Sequence, residues 1–222
     1  MTEHLTVPQA FALLLIEPDG RRAVAGQTFD AGLAGAVLAD LVLRGAVSLH
    51  GKDVQVVDGT ATGDPVLDAV VGVIAGSGAP RKATWWVSKL GRRPLRDDVL
   101  GGLVANGLLS EAQRKTLGIF PSTTYPERDG GPESLLRAAI ADVLAARSAP
   151  TPFTAAVIGL LDATGSLRKQ FGTVDRGLVA DVTSGAWASP AVKAVLDELQ
   201  MAVIVSVVAV TAATTATTSI TS

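Results

Sequence analysis

Between Arg81 and Arg96 the chain carries six of its 19 basic residues (Arg81, Lys82, Lys89, Arg92, Arg93 and Arg96) and no acidic one. Two of its three tryptophans, Trp85 and Trp86, fall in the same stretch. Guanidinium forks suit phosphate oxygens. Arg93 and Arg96 straddle a loop and a predicted helix start, where backbone N–H groups also point outward. Tryptophan beside basic side chains is the composition a membrane–water interface selects. The same stretch also reads as a solvated helix–loop–helix with Trp85 and Trp86 partly in the core.

Other chemistry is poorly supplied. The two histidines, His4 and His50, lie in a tail and beside a turn. With no cysteine, disulfides, thiol catalysis and Cys-ligated metal are excluded, and nothing points to an oxidising compartment. Metal-ligand spacing, a P-loop and a dinucleotide glycine fingerprint are all missing. Asp97 and Asp98 are consecutive on a predicted helix and diverge, which makes a poor acid–base pair and a good complement to the helix dipole. The reading is therefore non-enzymatic, with neither cofactor nor metal. A net charge of −2 gives no global attraction to nucleic acid. The order helix then hairpin from Asp30 to Val57 is that of a winged-helix DNA reader. The helix concerned, however, carries Asp30, Asp40 and only Arg44, so no nucleic-acid partner is expected.

The elements that must hold these residues are mostly helical. Thr6-x-x-Gln9 is a capping box opening a helix with Phe11, Leu13, Leu14 and Leu15. It stops at Pro18-Asp19-Gly20, and a short extended piece, Arg21 to Val24, follows. Asp30 is a plausible cap for the next helix, whose apolar face is Leu33, Val37, Leu38, Leu41 and Val42 and whose terminator is Gly45. Ala46–Leu49 and Val54–Val57 flank Gly51-Lys52-Asp53 as a hairpin. Asp64-Pro65 starts a helix with Leu67, Val70, Val71 and Ile74 inward. Arg81 to Leu90 and Leu95 to Asn106 read as helices, and Ser110 as the cap of a short one through about Thr116. Leu117 to Arg128 reads as an exposed loop or irregular hairpin. Pro132, Thr151-Pro152 and Asp175 open further helices. Ser189-Pro190 begins the most apolar run, where only Ser206 is polar between Met201 and Val210. This run is expected to be a central buried helix, about 190–213, too short to span a bilayer; a membrane-inserting segment and a buried strand are the other readings of it. The expected fold is mainly α: a single globular domain of amphipathic helices around that apolar helix, with one or two small β-hairpins. Its expected bounds are 5–213, with a flexible Thr/Ser tail at 214–222. Met1 to Val7 lacks the basic and apolar regions of a signal peptide, so a cytoplasmic location is expected.

Several segments together resemble a known family. Gly32-Leu33-x-Gly35-x-x-Leu38-x-x-Leu41-x-Leu43-Arg44-Gly45, then Thr62-Gly63-Asp64-x-x-Leu67-Asp68, then Leu103-Val104-x-x-Gly107 are similar, in order and spacing, to motifs of the Golgi phosphoprotein 3 family. The similarity runs from about Leu5 to Ala213. It implies a mostly α-helical domain and, from the eukaryotic members, a peripheral membrane protein that binds phosphatidylinositol 4-phosphate and holds glycosyltransferases. The family's Arg-x-x-Arg phosphate pair falls on Arg93 and Arg96. Two further site positions, a tryptophan and an arginine in the family, are Ala25 and Ala34 here. The family's exposed hairpin, which serves membrane contact and self-association, falls near Phe120 to Tyr125. No counterpart of the eukaryotic basic tail precedes Leu5, and the composition is that expected of a bacterial member.

The sequence reading is thus a peripheral membrane adaptor. Arg93, Arg96, Arg92, Lys89, Arg81 and Lys82 would bind an anionic, phosphoinositide-like lipid headgroup. Trp85, Trp86, Phe120 and Tyr125 would make membrane contact, and client proteins and a homo-oligomer are possible partners. The alternative is a soluble protein–protein scaffold without lipid binding, which Ala25 and Ala34 favour.

Overall fold

Thr6 and Gln9 close the predicted box: the Gln9 N–H donates to Thr6 Oγ1 at 3.4 Å and the Thr6 N–H to Gln9 Oε1 at 3.1 Å. The computed structural model describes residues 5–57, 61–116, 120–184, 197–198 and 200–209, without the side chains of 114–116 and 120–121. Helix α1 (Val7–Leu15) is buried along its whole length. It packs against α2 (Gly26–Leu43), which is buried without interruption from Phe29 to Leu41. A third buried helix, α7 (Pro152–Ala163), lies against both and is opened by a Thr151/Thr154 capping box. Gly45 ends α2 at φ +73°, the left-handed conformation a C′ glycine supplies.

The glycines of the Gly-Leu-x-Gly helix are packing devices. A Cβ on Gly32 would lie 2.2 Å from the Phe11 ring, and one on Gly35 would lie 2.3 Å from Val203 Cγ2. Phe11 is fully buried and rests on Phe29, ring centroids 6.0 Å apart, so the ring has no space to retreat into. Gly32→Ala gains about 1 kcal/mol of helix propensity but overpacks the α1–α2 contact, which costs about 1–3 kcal/mol and more where the neighbours are rigid. We expect a net loss of stability, read as a lower denaturant midpoint with an unchanged slope.

The centre of the molecule is not where hydrophobicity alone puts it. Residues 200–209 are helical, with Ala202 and Val203 buried. Met201, Val205 and Val208 on the same helix are 54%, 50% and 59% exposed. This helix leans on α2 through Val203; the centre is α2 with α1 and α7. An apolar run says that a helix has company but not on which sides, and the small residues of α2 let other helices close around it. The predicted start at Ser189-Pro190 and the Thr/Ser tail lie outside the described residues.

Around the three buried helices stand α3 (Pro65–Ala75), α4 (Ala83–Leu90), α5 (Arg93–Ala105), α6 (Gly131–Leu144), α8 (Leu167–Phe171) and α9 (Arg176–Thr183). The predicted hairpin is β1 (Val47–His50) and β2 (Asp53–Val56), in register Val47 to Val56. The structure adds a third strand, β3 (Arg81–Lys82), antiparallel to β2, so the helix after it starts at Ala83. The short helix expected after Ser110 is a strand: β4 (Ala112–Thr116) pairs antiparallel with β5 (Phe120–Thr124). The partner strand decides this, because Thr123 and Thr124 favour extended backbone and an isolated bridge from Leu109 to Glu127 continues the pairing. Asp30 is not a cap. The helix begins one turn earlier, and Asp30 lies inside it, buried. The protein is mainly α with small antiparallel strand pairs around one hydrophobic core. Since α2 forms that core, it is not available to lie in a DNA groove.

Candidate anion-binding surface

The polar residues of the recognisable motifs are occupied in holding the fold. Asp64 caps α3 by accepting the Val66 and Leu67 N–H groups at 2.9 and 3.0 Å. Asp68 accepts from the Thr62 N–H at 2.6 Å and from its hydroxyl at 2.7 Å. Asp40 accepts the Val7 N–H at 2.6 Å and pairs with Arg44, which also donates to the Thr62 carbonyl at 3.3 Å. Hydrogen bonds to Thr62 hold the Asp68 carboxyl below its ordinary value of 3.8. A lowered folded value means stability that is complete above the unfolded value and lost as pH falls through the folded one. Asp68→Asn should therefore flatten the acid side of the stability profile, between about pH 5 and pH 2, and leave the neutral plateau lower than wild type.

The basic stretch stays at the surface. Arg81, Lys82, Lys89, Arg92 and Arg93 are exposed. Trp85 is 40% exposed, with the Arg81 guanidinium 5.4 Å and the Lys89 ammonium 5.7 Å from its ring centroid. Trp86 is not a contact residue. It is 1% exposed, buried beneath Trp85 with the two rings edge to face at 4.7 Å, and its indole Nε1–H is unpartnered among the described residues. Consecutive residues on a helix point about 100° apart, so the two tryptophans were bound to divide between surface and core. The side chain of Phe120 lies outside the described residues. Tyr125, half-buried, follows β5 directly.

Arg93 and Arg96 lie on the first turn of α5 but in different surroundings. The Arg93 side chain is 78% exposed and donates to Asp97 at 3.1 Å. Arg96 is 16% exposed, and its Nη1 donates to both Asp30 carboxylate oxygens at 3.0 Å, with Asp97 at 3.7 Å. Burial outweighs this pairing and pushes the Asp30 carboxyl above its ordinary value. Asp98 is not part of either pair.

Arg22 is the residue that sequence reading overlooked. It sits in the α1–α2 connection, and its guanidinium lies beside the start of α2: a Cβ on Gly26 would be 3.5 Å from its nitrogen. Among the described residues no carboxylate comes within ion-pair distance of it. Arg22 opens onto a cavity of about 400 Å³ lined also by Arg21, Ala25, Gly26, Thr123, Thr124 and Tyr125; Arg21 is paired with Asp19 and Glu17. Thus β5 and the α1–α2 connection face each other, joined by the Tyr125 N–H to the Gly20 carbonyl at 3.2 Å. The charges of Arg96, Arg22 and Asp97 act on Asp30, and those of Asp97, Glu111, Arg96 and Arg93 on Tyr125, which makes one electrostatic neighbourhood of the α1–α2 connection, α2, α5 and the end of β5. Of the two alanines that the sequence resemblance sets at further site positions, Ala25 lines this cavity and Ala34 is fully buried in the core. Arg21-Arg22 in a short connection has no periodicity or motif to announce it; only the fold brings Arg22 toward α5 and β5.

Among the described residues no group of histidines and carboxylates is arranged to hold a metal ion, and no helix is long and apolar enough to cross a membrane. No curated protein matches the chain. The family model described as Golgi phosphoprotein 3 (GPP34) matches residues 7–199, and the chain belongs to that family.

Proposed function

We propose that the protein is a non-enzymatic peripheral membrane adaptor that binds anionic, phosphate-bearing lipid headgroups. The observation that carries this reading is Trp85, half out of the surface between Arg81 and Lys89, on a stretch whose other exposed charges are Lys82, Arg92 and Arg93. An indole flanked by cations partitions to the headgroup layer while the cations meet lipid phosphates. Arg93 and Arg22 supply the phosphate contacts nearest the hairpin. Arg96, held by Asp30, acts mainly by fixing α5 against α2. Family membership supports an adaptor role in general. Client proteins bound on other faces belong to the same proposal.

The test is Trp85 emission. Vesicles of phosphatidylcholine with about a third phosphatidylglycerol should shift emission to the blue, and 0.5 M salt should reverse the shift, because screening shortens the Debye length to about 4 Å. Phosphatidylcholine alone should leave the spectrum unchanged. In Trp85→Phe the shift should vanish while the protein still pellets with anionic vesicles. A blue shift that survives in Trp85→Phe would place the contact elsewhere.

A further inference from the structure

The helix at 200–209 turns aliphatic side chains to solvent in an ordered way. Met201, Val205 and Val208 are each at least half exposed. They recur at i, i+4 and i+7, so they form one stripe along the helix. The other side of the helix is taken up by the core. Ala202 and Val203 are buried, Val203 lies against Gly35 of α2, and Gln200 Nε2 donates to the Gly159 carbonyl of α7 at 3.4 Å. Ser206 adds no polarity to the stripe, because its hydroxyl is turned back onto the Ala202 carbonyl at 2.8 Å. Single exposed aliphatic residues are ordinary; an exposed aliphatic stripe along one helix marks a contact surface.

What lies beside the stripe says what covers it. Glu198, three positions before Met201 and on the same side of the helix, stands 3.5 Å from Lys52 Nζ in the β1–β2 turn. The Lys52 carbonyl accepts the Ala83 N–H at 3.1 Å, and the next residue, Asp53, pairs with Lys82 on β3. The stripe therefore starts beside the strand that opens the basic stretch. Arg81 and Lys82 are exposed there, and the Arg81 guanidinium stands over the Trp85 ring. Asp197 and Glu198 close the stripe at that end, with the Glu198 charge offset by Lys52. Aliphatic side chains on one face with cations alongside are the makeup of a helix that lies in the boundary between headgroups and acyl chains. A second copy of the chain would bring the same cations to the stripe. An anionic bilayer brings acyl chains for the stripe and phosphates for the cations.

We infer that the face carrying Met201, Val205 and Val208 is a membrane-inserting surface, lying among the upper acyl chains of an anionic bilayer while Arg81 and Lys82 meet lipid phosphates beside it. The inference rests on the lipid reading above and adds to it the element that enters the apolar layer. Cations hold a protein at a charged surface in a way that salt reverses, whereas burial of aliphatic side chains is not screened. The helix then has two sides with separate roles: Val203 closes the core on α2, and the stripe enters the membrane.

The chain has no cysteine, so Val205→Cys carries the only thiol and takes a single polarity-sensitive dye. With phosphatidylcholine vesicles doped with phosphatidylglycerol, the dye emission should rise severalfold and move to the blue. Lipids bearing a nitroxide on the upper acyl chain should quench it. The same dye on Leu135→Cys, at an exposed position of α6, which packs on α1 and α7, should not respond. Met201→Gln/Val205→Gln changes only exposed side chains. Checked for folding by circular dichroism, it should bind the doped vesicles about tenfold more weakly or worse, since burying one aliphatic side chain is worth at least that factor. A dye at position 205 that keeps its aqueous spectrum while the protein pellets with the same vesicles overturns the inference and leaves the lipid reading standing. Protein that stays in the supernatant overturns both. A dye that turns blue without vesicles as protein concentration rises makes the stripe a contact between copies, and overturns the inference as well.

Discussion

Trp86→Ala should lower the unfolding free energy by about 3–5 kcal/mol, the range for deleting a large buried aromatic side chain. Domains of this kind are stable by only about 5–15 kcal/mol, so the variant should stand near the edge of folding at 37 °C. The size follows from position: Trp86 is 1% exposed, on the face of α4 that packs on α2. Trp85→Ala on the next residue should cost far less, about 1 kcal/mol, since its ring is 40% exposed and its partners are surface cations. Trp86→Phe should fall between them. It keeps most of the packing and removes an indole N–H that has no acceptor among the described residues. Urea denaturation of the three variants measures the order. Equal losses for Trp85→Ala and Trp86→Ala would contradict the division of the pair between surface and core.

The second large effect is on membrane affinity. Reversing Arg81, Lys89, Arg92 and Arg93 to glutamate should weaken binding to anionic vesicles by about 10³-fold or more. Each basic side chain near an anionic surface contributes about 1 kcal/mol, and a tenfold change in affinity is about 1.4 kcal/mol. Loss of four cations alone gives close to three powers of ten, and the added negative charges take it further. The fold should tolerate the changes. All four residues are exposed, and the only ion pair they make among the described residues, Arg93 with Asp97, has side chains 78% and 45% exposed. Such a pair contributes about 0–1 kcal/mol. Arg96 is left out on purpose. Reversing it would set a glutamate against buried Asp30, and the resulting instability would imitate a binding defect.

What could be read from the sequence divides by range. The Thr6/Gln9 box, the Asp64-Pro65 start of α3, the Thr151 start of α7 and the glycine stop at Gly45 are set by hydrogen bonds within a few residues, and each was legible. The family motif was legible too, and the structure explains it as packing and capping at Gly32, Gly35, Asp64 and Asp68. Features requiring a distant partner were not. β4 reads as helix until β5 lies beside it, and the 200–209 helix reads as central until Met201, Val205 and Val208 are found exposed. Asp30 looks like a cap because its partner, Arg96, is 66 positions away. In the candidate site, the exposed cations and Trp85 were visible as composition. Which cations are already neutralised, and that Arg22 joins them, depends on how α2, α5 and β5 meet.

Co-sedimentation of wild type and the Arg81/Lys89/Arg92/Arg93→Glu variant tests the central claim most directly. The vesicles would be pure phosphatidylcholine and phosphatidylcholine doped with phosphatidylglycerol, at low and at high salt. Lipid binding through this face predicts that wild type pellets with the anionic vesicles at low salt, is released by high salt, and ignores phosphatidylcholine, while the folded variant stays in the supernatant throughout. Wild type remaining in the supernatant with every vesicle, or the variant pelleting as well as wild type, would contradict it.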